Sequence, residues 1–425
     1  MYYISSKWFV KPFIENRILS ALCPNLIFKS LKIKSLPRRT STGFPLLASG
    51  GLKQEEKIEE KGGKKRKFIY RTLGKTGIKL PVISMGGMYA IDPALFRVAL
   101  DSGIVHLETA HVHMAGRNEV MIGEVIKGRP RDSILISTKI FFIPNKITGL
   151  YGPENTESKF LEQLDISLKR LGVEYLDILC LHGPVRREAA LFEPALRAME
   201  KAKKDGKARS VGISFHRNEP ELIQSAIDSK FYDVIMPSYN FKQKNHVEVK
   251  EKIARAAQAG IGVVAMKTMG GTGAISDILR PINASAALKW VLQDPNVHTI
   301  VCGFTTFDQM NIDLAVIEDL SIKDSEKDYL QKEASIPGFY CQGCGQCVKQ
   351  CFAKLPIPEL MRAYMYTYGY RKPAFAQELV VSLGLPSHVC DDCGQCPVKC
   401  TNGWNIELKI RDVVRLRDVP LEFIV

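Results

Sequence analysis

Eight cysteines near the C-terminal end of the chain repeat one spacing pattern. They form two runs of C-x-x-C-x-x-C-x-x-x-C, which are Cys341, Cys344, Cys347 and Cys351, and then Cys390, Cys393, Cys396 and Cys400. Three thiolates separated by two residues each can bind three irons of one cubane, and the more distant fourth can reach another cluster. The spacing therefore predicts two [4Fe-4S] clusters.

Zinc sites and disulfides fit the cysteine pattern less well. Structural zinc sites need four ligands each and usually show paired C-x-x-C sequences rather than unbroken triple runs. A disulfide framework is typical of small secreted domains, whereas a chain of 425 residues can bury a core without cross-links. Iron–sulfur chemistry is the preferred prediction.

The repeated run resembles that of bacterial ferredoxins with two clusters. The resemblance implies crossed ligand sets, which would be Cys341, Cys344, Cys347 and Cys400 for one cluster and Cys390, Cys393, Cys396 and Cys351 for the other. Between the runs, apolar and aromatic residues recur at helical intervals, at Leu360, Tyr364, Tyr368, Leu379 and Leu383. Residues 336–425 are therefore expected to form a small α-helical domain of the ferredoxin type.

A second group of residues suited to chemistry lies in the middle of the chain. Glu108, Lys139 and His182 each stand at the C-terminal end of a short apolar run. A carboxylate can hold an ammonium in place, and the ammonium favours the ionised form of a neighbouring acid. The three side chains meet only if the apolar runs are strands whose C-terminal ends share one edge.

The elements that must position these residues alternate between strands and helices. The predicted strands are Pro81–Met85, Val105–Thr109, Ile134–Lys139, Leu176–Leu181, Ala208–Ser214, Val234–Pro237, Gly262–Met266 and His298–Gly303. The predicted helices are Pro93–Ser102, Arg117–Lys127, Thr156–Leu171, Phe192–Asp205, Glu219–Lys230, Val247–Ala259, Ala284–Gln293 and Asp308–Asp319.

This alternation predicts an α/β architecture, a closed (β/α)8 TIM barrel over residues 68–335 followed by the helical cysteine domain. The alternative is an open doubly wound sheet. Such a sheet usually carries G-x-G-x-x-G after its first strand, and Ser84–Met88 lacks that fingerprint.

Several segments of the predicted barrel are similar to the successive signatures of the aldo/keto reductases. They are Tyr70–Pro81, Glu108–Ala110, Ser137–Lys139, Leu181–His182 and Val211–Ser214. With the cysteine-rich segment, they resemble the iron–sulfur branch of that family. The resemblance implies a tetrad of Asp, Tyr, Lys and His, in which the Tyr protonates a carbonyl oxygen while a nicotinamide delivers hydride.

The tetrad is half matched. Lys139 and His182 stand at the family positions, but Glu108 replaces the aspartate and His113 replaces the tyrosine. A phenol has a pKa of about 10 and an imidazole of about 6.5, so His113 near Lys139 would be mostly neutral at pH 7 and would accept a proton better than donate one. One hypothesis is that His113 and His182 share the acid–base work, with Tyr151 as an alternative phenol. The competing hypothesis is that His113 is an inert loop residue and the ordinary reductase step is lost.

Residues that bind a nicotinamide cofactor are expected after the later strands. Segments 266–271 and 303–311 resemble those that bind its pyrophosphate and adenosine, and glycine amides beside a helix N-terminus suit an anion. The alternative is that the glycines only turn the chain. The predicted set is Ser214, Tyr239, Lys267, Gly270, Gly271, Gly303, Thr305, Gln309 and Asn311. NADP and NAD both remain open, because no arginine follows Gly303.

The net charge of +14 is concentrated at the start of the chain. Residues 1–67 contain 15 Lys and Arg against 5 Asp and Glu, which leaves +4 for the remainder. That remainder shows no basic face with interleaved aromatic residues, so nucleic acid is not an expected partner. Residues 1–67 are expected to be a basic leader, with Glu55–Lys67 as a solvated linker.

The leader also bears on location in the cell. Its apolar stretches are shorter than the roughly 18 residues that a membrane span needs, so no transmembrane segment is expected. Arg38 and Arg39 before the apolar Phe44–Ala48 resemble a weakened twin-arginine export signal. A cytoplasmic protein with a disordered leader is preferred, and export in the folded state is the alternative.

These predictions combine into an iron–sulfur oxidoreductase that acts on a small carbonyl or alcohol substrate. A hydride carries two electrons and a cluster passes one at a time, so clusters that take part in turnover imply an external electron partner. The alternative is a catalytically altered barrel whose clusters serve electron transfer or redox sensing.

Overall fold

The computed structural model describes residues 54–61, 63–145, 148–270, 282–336 and 338–424. Arg38 and Arg39 of the leader, and Gly271 of the expected cofactor segment, lie outside these residues. The predictions that concern them therefore remain predictions. From Gln54 onward, the described residues belong to one compact unit.

A small antiparallel sheet begins the described chain, formed by β1 (Gln54–Lys61), β2 (Lys64–Thr72) and β3 (Lys79–Pro81). The expectation of a solvated linker at Glu55–Lys67 was wrong. The acidic β1 lies opposite the basic β2, and opposite charges pair between the strands, as in the 2.8 Å contact between Lys67 Nζ and Glu56. High charge density here reflects cross-strand pairing in a hairpin.

A closed barrel of eight parallel strands follows, as the sequence predicted. The strands are β4 (Ile83–Gly86), β5 (His106–Glu108), β6 (Leu135–Ile140), β7 (Leu176–His182), β8 (Ala208–Phe215), β9 (Val234–Pro237), β10 (Gly262–Ala265) and β11 (Thr299–Cys302). Neighbours in sequence are neighbours in the barrel, and β11 pairs with β4 to close it. All eight predicted strands are confirmed, and no end differs by more than two residues.

Helices alternate with the barrel strands, also as predicted. They are α1 (Pro93–Asp101), α2 (Arg117–Ile126), α3 (Glu157–Leu171), α4 (Arg187–Ala190), α5 (Glu193–Lys204), α6 (Glu219–Ser229), α7 (His246–Gln258), α8 (Ala284–Leu292), α9 (Phe307–Glu318) and α10 (Asp324–Ala334). Local sequence fixes several of their starts: Thr156 Oγ1 accepts from the Lys159 amide before α3. Among the described helices, none is long and apolar enough to cross a membrane.

The strands owe their positions to burial on both faces. Every residue of β7 is buried except the last, His182, which is half-buried at the C-terminal end of the strand. A parallel strand packed between the barrel interior and the helices must be apolar along its length. Polar side chains can therefore end such a strand, and those ends define one edge of the barrel, called here the mouth.

The opposite edge of the barrel is covered by the N-terminal sheet. Leu73, just after β2, is fully buried, and a side chain at Gly262, the first residue of β10, would collide with it. Arg71 donates hydrogen bonds to the carbonyls of Val297 and Leu292, at 2.5 and 3.0 Å. These contacts close the bottom of the barrel and leave the mouth as the edge that can receive a ligand.

After α10, the chain forms a helical region that carries the two cysteine runs. Its helices are α11 (Gln346–Gln350), α12 (Ile357–Tyr364), α13 (Pro373–Ser382) and α14 (Ile406–Val414), with a π-helical turn at Met365–Gly369. A separate apolar core joins α12, α13 and α14 through buried residues that include Leu360, Val380 and Ile410. The predicted helices between the cysteine runs are confirmed.

This core supports a stability prediction. Ile410→Ala, at a residue only 1% exposed on α14, should lower the free energy of unfolding by about 2–5 kcal/mol, because it removes buried methylenes and leaves a cavity. Leu408→Ala on the same helix, at a residue 61% exposed, should change it by less than about 0.5 kcal/mol. Chemical denaturation of both variants measures the difference, and equal losses would contradict the assigned core.

Candidate active site

The barrel brings the predicted catalytic side chains to one place. Glu108 is the last residue of β5, Lys139 is next to last in β6, and His182 ends β7. These strands are consecutive neighbours, with Glu108 paired to Ser137 and Lys139 paired to Cys180. The three side chains therefore lie side by side at the mouth.

Lys139 and Glu108 form a buried ion pair. Their side chains are 3% and 5% exposed, and the ammonium contacts the Glu108 carboxylate directly. Lys139 Nζ also donates a 2.7 Å hydrogen bond to the Thr109 carbonyl. Burial lowers the pKa of Lys139, whereas contact with the carboxylate favours its charged form. The pair holds the ammonium in one position beneath the mouth.

A buried hydrogen-bonded bridge orients this ion pair. Its residues were not singled out by local sequence patterns. The Thr109 hydroxyl donates to Asn118 Oδ1 at 2.6 Å, and Asn118 Nδ2 donates to the Gly87 carbonyl at 2.8 Å. Both side chains are fully buried. The bridge joins the ends of β4 and β5 to the start of α2, so Thr109 keeps its carbonyl turned toward Lys139. Only the polarity of Asn118 within an amphipathic helix could have indicated this role.

Three imidazoles surround the ion pair. The ring centroid of His182 is 6.1 Å from that of His113 and 6.5 Å from that of His216. Phe141 completes the group at 5.8 Å from His182. The Nδ1 atoms of His113 and His182 are buried and have no hydrogen-bond partner among the described residues. Each of these two rings therefore has a nitrogen free to meet a ligand.

The surroundings of these imidazoles disfavour their protonated forms. Burial, with the positive charge of Lys267, lowers the pKa of His113 to about 3. Burial and the charge of Lys139 hold the pKa of His182 well below its usual range, and the pKa of His216 is lowered in the same way. A neutral imidazole with so low a pKa is a weak base, so the proton-transfer role expected of His113 stays a prediction.

Tyr151, the alternative phenol, occupies a different environment. Its ring packs against Phe142 and Phe192, with centroids 5.6 and 5.3 Å apart. Its hydroxyl is buried without a hydrogen-bond partner among the described residues, and burial raises its pKa above the usual value. Tyr151 thus belongs to an aromatic cluster rather than to the group of imidazoles.

The cofactor residues expected after β8, β9 and β10 also lie at the mouth. Ser214, near the end of β8, has a buried hydroxyl without a hydrogen-bond partner in the described chain. The Tyr239 ring, just after β9, packs at a 45° tilt on Trp290, with centroids 5.1 Å apart. Lys267, two residues after β10, directs Nζ toward the Tyr370 ring at 5.2 Å from its centroid.

The remaining expected cofactor residues lie after β10, at Gly270, and in the short turn between β11 and α9. Gly270 has a left-handed φ of 66°, and Gly303 is open enough that a Cβ there would meet only the Gly86 carbonyl, at 4.0 Å. The Thr305 amide donates to Gln309 Oε1 at 2.8 Å, while Asn311 is exposed on the helix. Gln309 therefore orders this turn from within.

The helical cysteine region covers the mouth, which the sequence did not reveal. The Tyr340 hydroxyl donates to the His216 carbonyl and to Glu219, each at 2.5 Å. Arg217 pairs with Glu359 of α12, and the Tyr89 and Tyr370 rings pack at 5.5 Å. Nothing in local spacing links residues this far apart in the chain.

The eight cysteines gather in two mixed groups. Beyond the effect of burial, the charges of Cys341, Cys344 and Cys400 raise the pKa of the Cys347 thiol. The second group behaves alike, because burial and the charges of Cys393, Cys351 and Cys396 raise the pKa of Cys390. These charge effects link Cys400 with the first run and Cys351 with the second.

None of the cysteines in the described chain forms a disulfide. Among the same residues, no three His, Cys, Asp or Glu side chains converge as ligands of one metal ion.

Comparison with known proteins places the barrel. The sequence model of the Aldo/keto reductase family matches residues 93–280. L-glyceraldehyde 3-phosphate reductase of Escherichia coli is 26% identical over 315 residues, which are 60% of this chain and 90% of the relative. A Schizosaccharomyces pombe protein named as a voltage-gated potassium channel subunit beta is 30% identical over 200 residues, or 42% of this chain and 56% of the relative.

A solved structure agrees in fold. An aldo-keto reductase from Bacillus halodurans superposes with a TM-score of 0.50 at 23% identity and covers 62% of this chain and 95% of that one. This likeness shows the (β/α)8 barrel. Because these matches cover 62% of the chain or less, they support the barrel and do not reach an iron–sulfur assignment.

A buried histidine in the barrel interior, His106, supports a prediction about how the stability of the protein depends on pH. His106 lies between Ser84 and Ser137, with ring nitrogens 2.8 and 2.9 Å from their hydroxyls. Burial lowers its pKa from 6.5 to about 4. Between these values the unfolded chain binds a proton that the folded chain does not, so the stability that His106 contributes above pH 6.5 is lost as the pH falls toward 4.

We expect the free energy of unfolding of the wild type to decrease on acidification. In His106→Gln, the slope between about pH 6 and pH 4.5 should be shallower by up to about 1.4 kcal/mol per pH unit, the value for one proton. Denaturant titrations at several pH values compare the slopes. Parallel slopes would mean that His106 does not stay neutral in the folded protein.

Proposed function

We propose, on the premise that residues 93–280 form an aldo/keto reductase family domain, that the chain interconverts a carbonyl and an alcohol with NADP or NAD. The observation that carries this proposal is the buried Lys139–Glu108 pair beside His182 and His113. A fixed cation next to neutral imidazoles is suited to stabilising charge and moving a proton at a carbonyl or alcohol oxygen.

The roles of the residues follow from their environment. Glu108 holds the Lys139 ammonium, and the ammonium stabilises negative charge on the substrate oxygen. The free Nδ1 atoms of His113 and His182 can accept the hydroxyl proton of an alcohol. Their lowered pKa values leave little imidazolium to donate at pH 7 and also make the neutral rings weak bases, so they favour neither direction of the reaction.

A nicotinamide cofactor fits the mouth. When bound, it supplies or receives the hydride. The unpartnered Ser214 hydroxyl can hydrogen-bond a carboxamide, the open Gly303 leaves room for a close backbone approach, and the N-terminus of α9 suits a phosphate. Gly270, Thr305, Gln309, Asn311 and Tyr239 complete the proposed set, whereas the Lys267 ammonium, which is directed at the Tyr370 ring, is left to the substrate.

We also propose that the C-terminal region holds two [4Fe-4S] clusters. The support is the mixed grouping of the thiols, because Cys400 lies with the first run and Cys351 with the second. Ferredoxin-type loops with a distant fourth ligand require that crossing. Bound clusters supply single-electron transfer, so an external electron partner would be needed if they take part in turnover.

A second candidate function is electron transfer or redox sensing by a catalytically altered barrel. The observation in its favour is that Tyr151, the candidate phenol for the tetrad, packs in an aromatic cluster rather than beside His182. Mixing the anaerobically purified protein with NADPH and with NADH separates the candidates. A fluorescence shift supports the reductase, and no shift with either supports the second candidate.

The first activity prediction concerns the ion pair. Lys139→Met should lower kcat/KM at least about 100-fold in a screen of small aldehydes and alcohols, because charge stabilisation and proton transfer contribute that much or more. The Escherichia coli relative makes small hydroxyaldehydes reasonable first substrates. Lys127→Met, at an exposed lysine after α2, serves as the matched control and should keep full activity.

His113→Phe tests the imidazole in the same assay. A loss of at least about tenfold places His113 in proton transfer. An unchanged rate with a true substrate removes it from the mechanism and leaves His182 with Lys139.

A further prediction concerns iron content and the proposed crossing of the fourth cysteine of each run to the other cluster. Cys400→Ala should lose iron from the cluster of Cys341, Cys344 and Cys347, which reduces about eight irons per chain to about four. Cys302→Ala, at a buried core thiol, should keep the full count. Iron analysis and absorption spectra of anaerobic protein measure this. Should the wild type fold normally without iron, the cluster proposal is wrong.

A further inference from the structure

The mouth contains more positive than negative charge. Arg217 and Arg362 both pair with the single carboxylate of Glu359. Lys139 is matched by Glu108, but Lys267 forms no ion pair within the described residues. A cation largely removed from water is costly without a counter-ion unless a ligand supplies the opposite charge.

Lys267 lies at the mouth in an unfavourable backbone conformation. Its φ of 57° lies in the left-handed region, which residues with a side chain rarely adopt. Nζ lies 5.2 Å from the Tyr370 ring centroid, a cation–π contact with the cysteine region. Its charge lowers the pKa of His113 and of His216. The ammonium therefore lies where the mouth of the barrel meets Tyr370 of the cysteine region.

Arg362 of the cysteine region brings a second positive charge to the mouth of the barrel. It belongs to α12 of the cysteine region, and its charge lowers the pKa of both His216 and Lys267, after the larger effect of burial. Its Nε is buried without a hydrogen-bond partner in the described chain. Because one of its nitrogens already pairs with Glu359, the guanidinium is oriented and still has a donor to offer.

Other buried polar atoms in this neighbourhood lack partners too. The Tyr89 hydroxyl, packed between the Tyr370 and Phe375 rings, has none among the described residues, and neither do the Nδ1 atoms of His113 and His182. Native structures rarely leave several buried polar groups unsatisfied in one region. Their convergence indicates a place for a small polar ligand.

We propose that Lys267 and Arg362 bind the acid group of a small carbonyl substrate, so that the substrate of this enzyme is an anion. This inference rests on the proposed function and specifies its substrate class. An ammonium and a guanidinium together suit a carboxylate or a phosphoryl group. One cation comes from the barrel and the other from the cysteine region, so the acid group is bound only where the two parts meet.

The test uses the full chain, purified without oxygen, and two probes of the same shape. Pyruvate carries a carboxylate and pyruvamide a neutral amide, so their difference in affinity measures recognition of charge. By equilibrium calorimetry, pyruvate should bind at least about tenfold more tightly, the effect of one or two charge-assisted hydrogen bonds. Arg362→Gln and Lys267→Met should each remove most of that difference.

Arg415→Gln is the matched control, because it removes one positive charge at an exposed residue of the same region. It should keep the preference for pyruvate. Inorganic phosphate, used as a competitor, separates the two kinds of acid group: strong competition indicates a phosphoryl substrate, and weak competition indicates a carboxylate.

Three results would overturn the inference. They are equal affinity for pyruvate and pyruvamide, no binding of either pyruvate or phosphate, and a Lys267→Met variant that loses NADPH but keeps its preference for pyruvate. Turnover of neutral aldehydes with NADPH would then still support the proposed function. Binding of the anions without turnover of any carbonyl compound would support the anion site and contradict the proposed function.

Discussion

The structure depends most on one buried ion pair. Lys139 and Glu108 come from adjacent barrel strands, and taking two charges out of water is unfavourable unless each satisfies the other. Because neither partner can move without leaving a bare charge, the pair fixes the relative positions of two strand ends. The Thr109 carbonyl and the Asn118 bridge add hydrogen bonds that keep the arrangement in register.

The same pair sets the electrostatics around it. A cation this close to His182, with Lys267 and Arg362 nearby, makes protonation of the surrounding imidazoles unfavourable. The site therefore combines fixed positive charge with neutral bases.

Much of the barrel could be predicted because buried parallel strands have a recognisable amino-acid pattern. A strand buried on both faces must be apolar throughout, so β7 and its polar last residue, His182, were legible in the sequence. The β1–β2 hairpin was not, because a run of Lys and Glu looks the same whether water or an opposite strand neutralises it. The cover over the mouth was also hidden, since Tyr340 and His216 meet only through tertiary packing.

Tyr340 gives this packing a further meaning. It is adjacent in sequence to Cys341, yet its hydroxyl is anchored to the His216 carbonyl and to Glu219 of the barrel. One covalent step and one hydrogen bond therefore join the first cysteine loop to the loop beside His182. The cysteine region and the mouth of the barrel thus share an anchor, so a shift of that loop would also shift the backbone at His216.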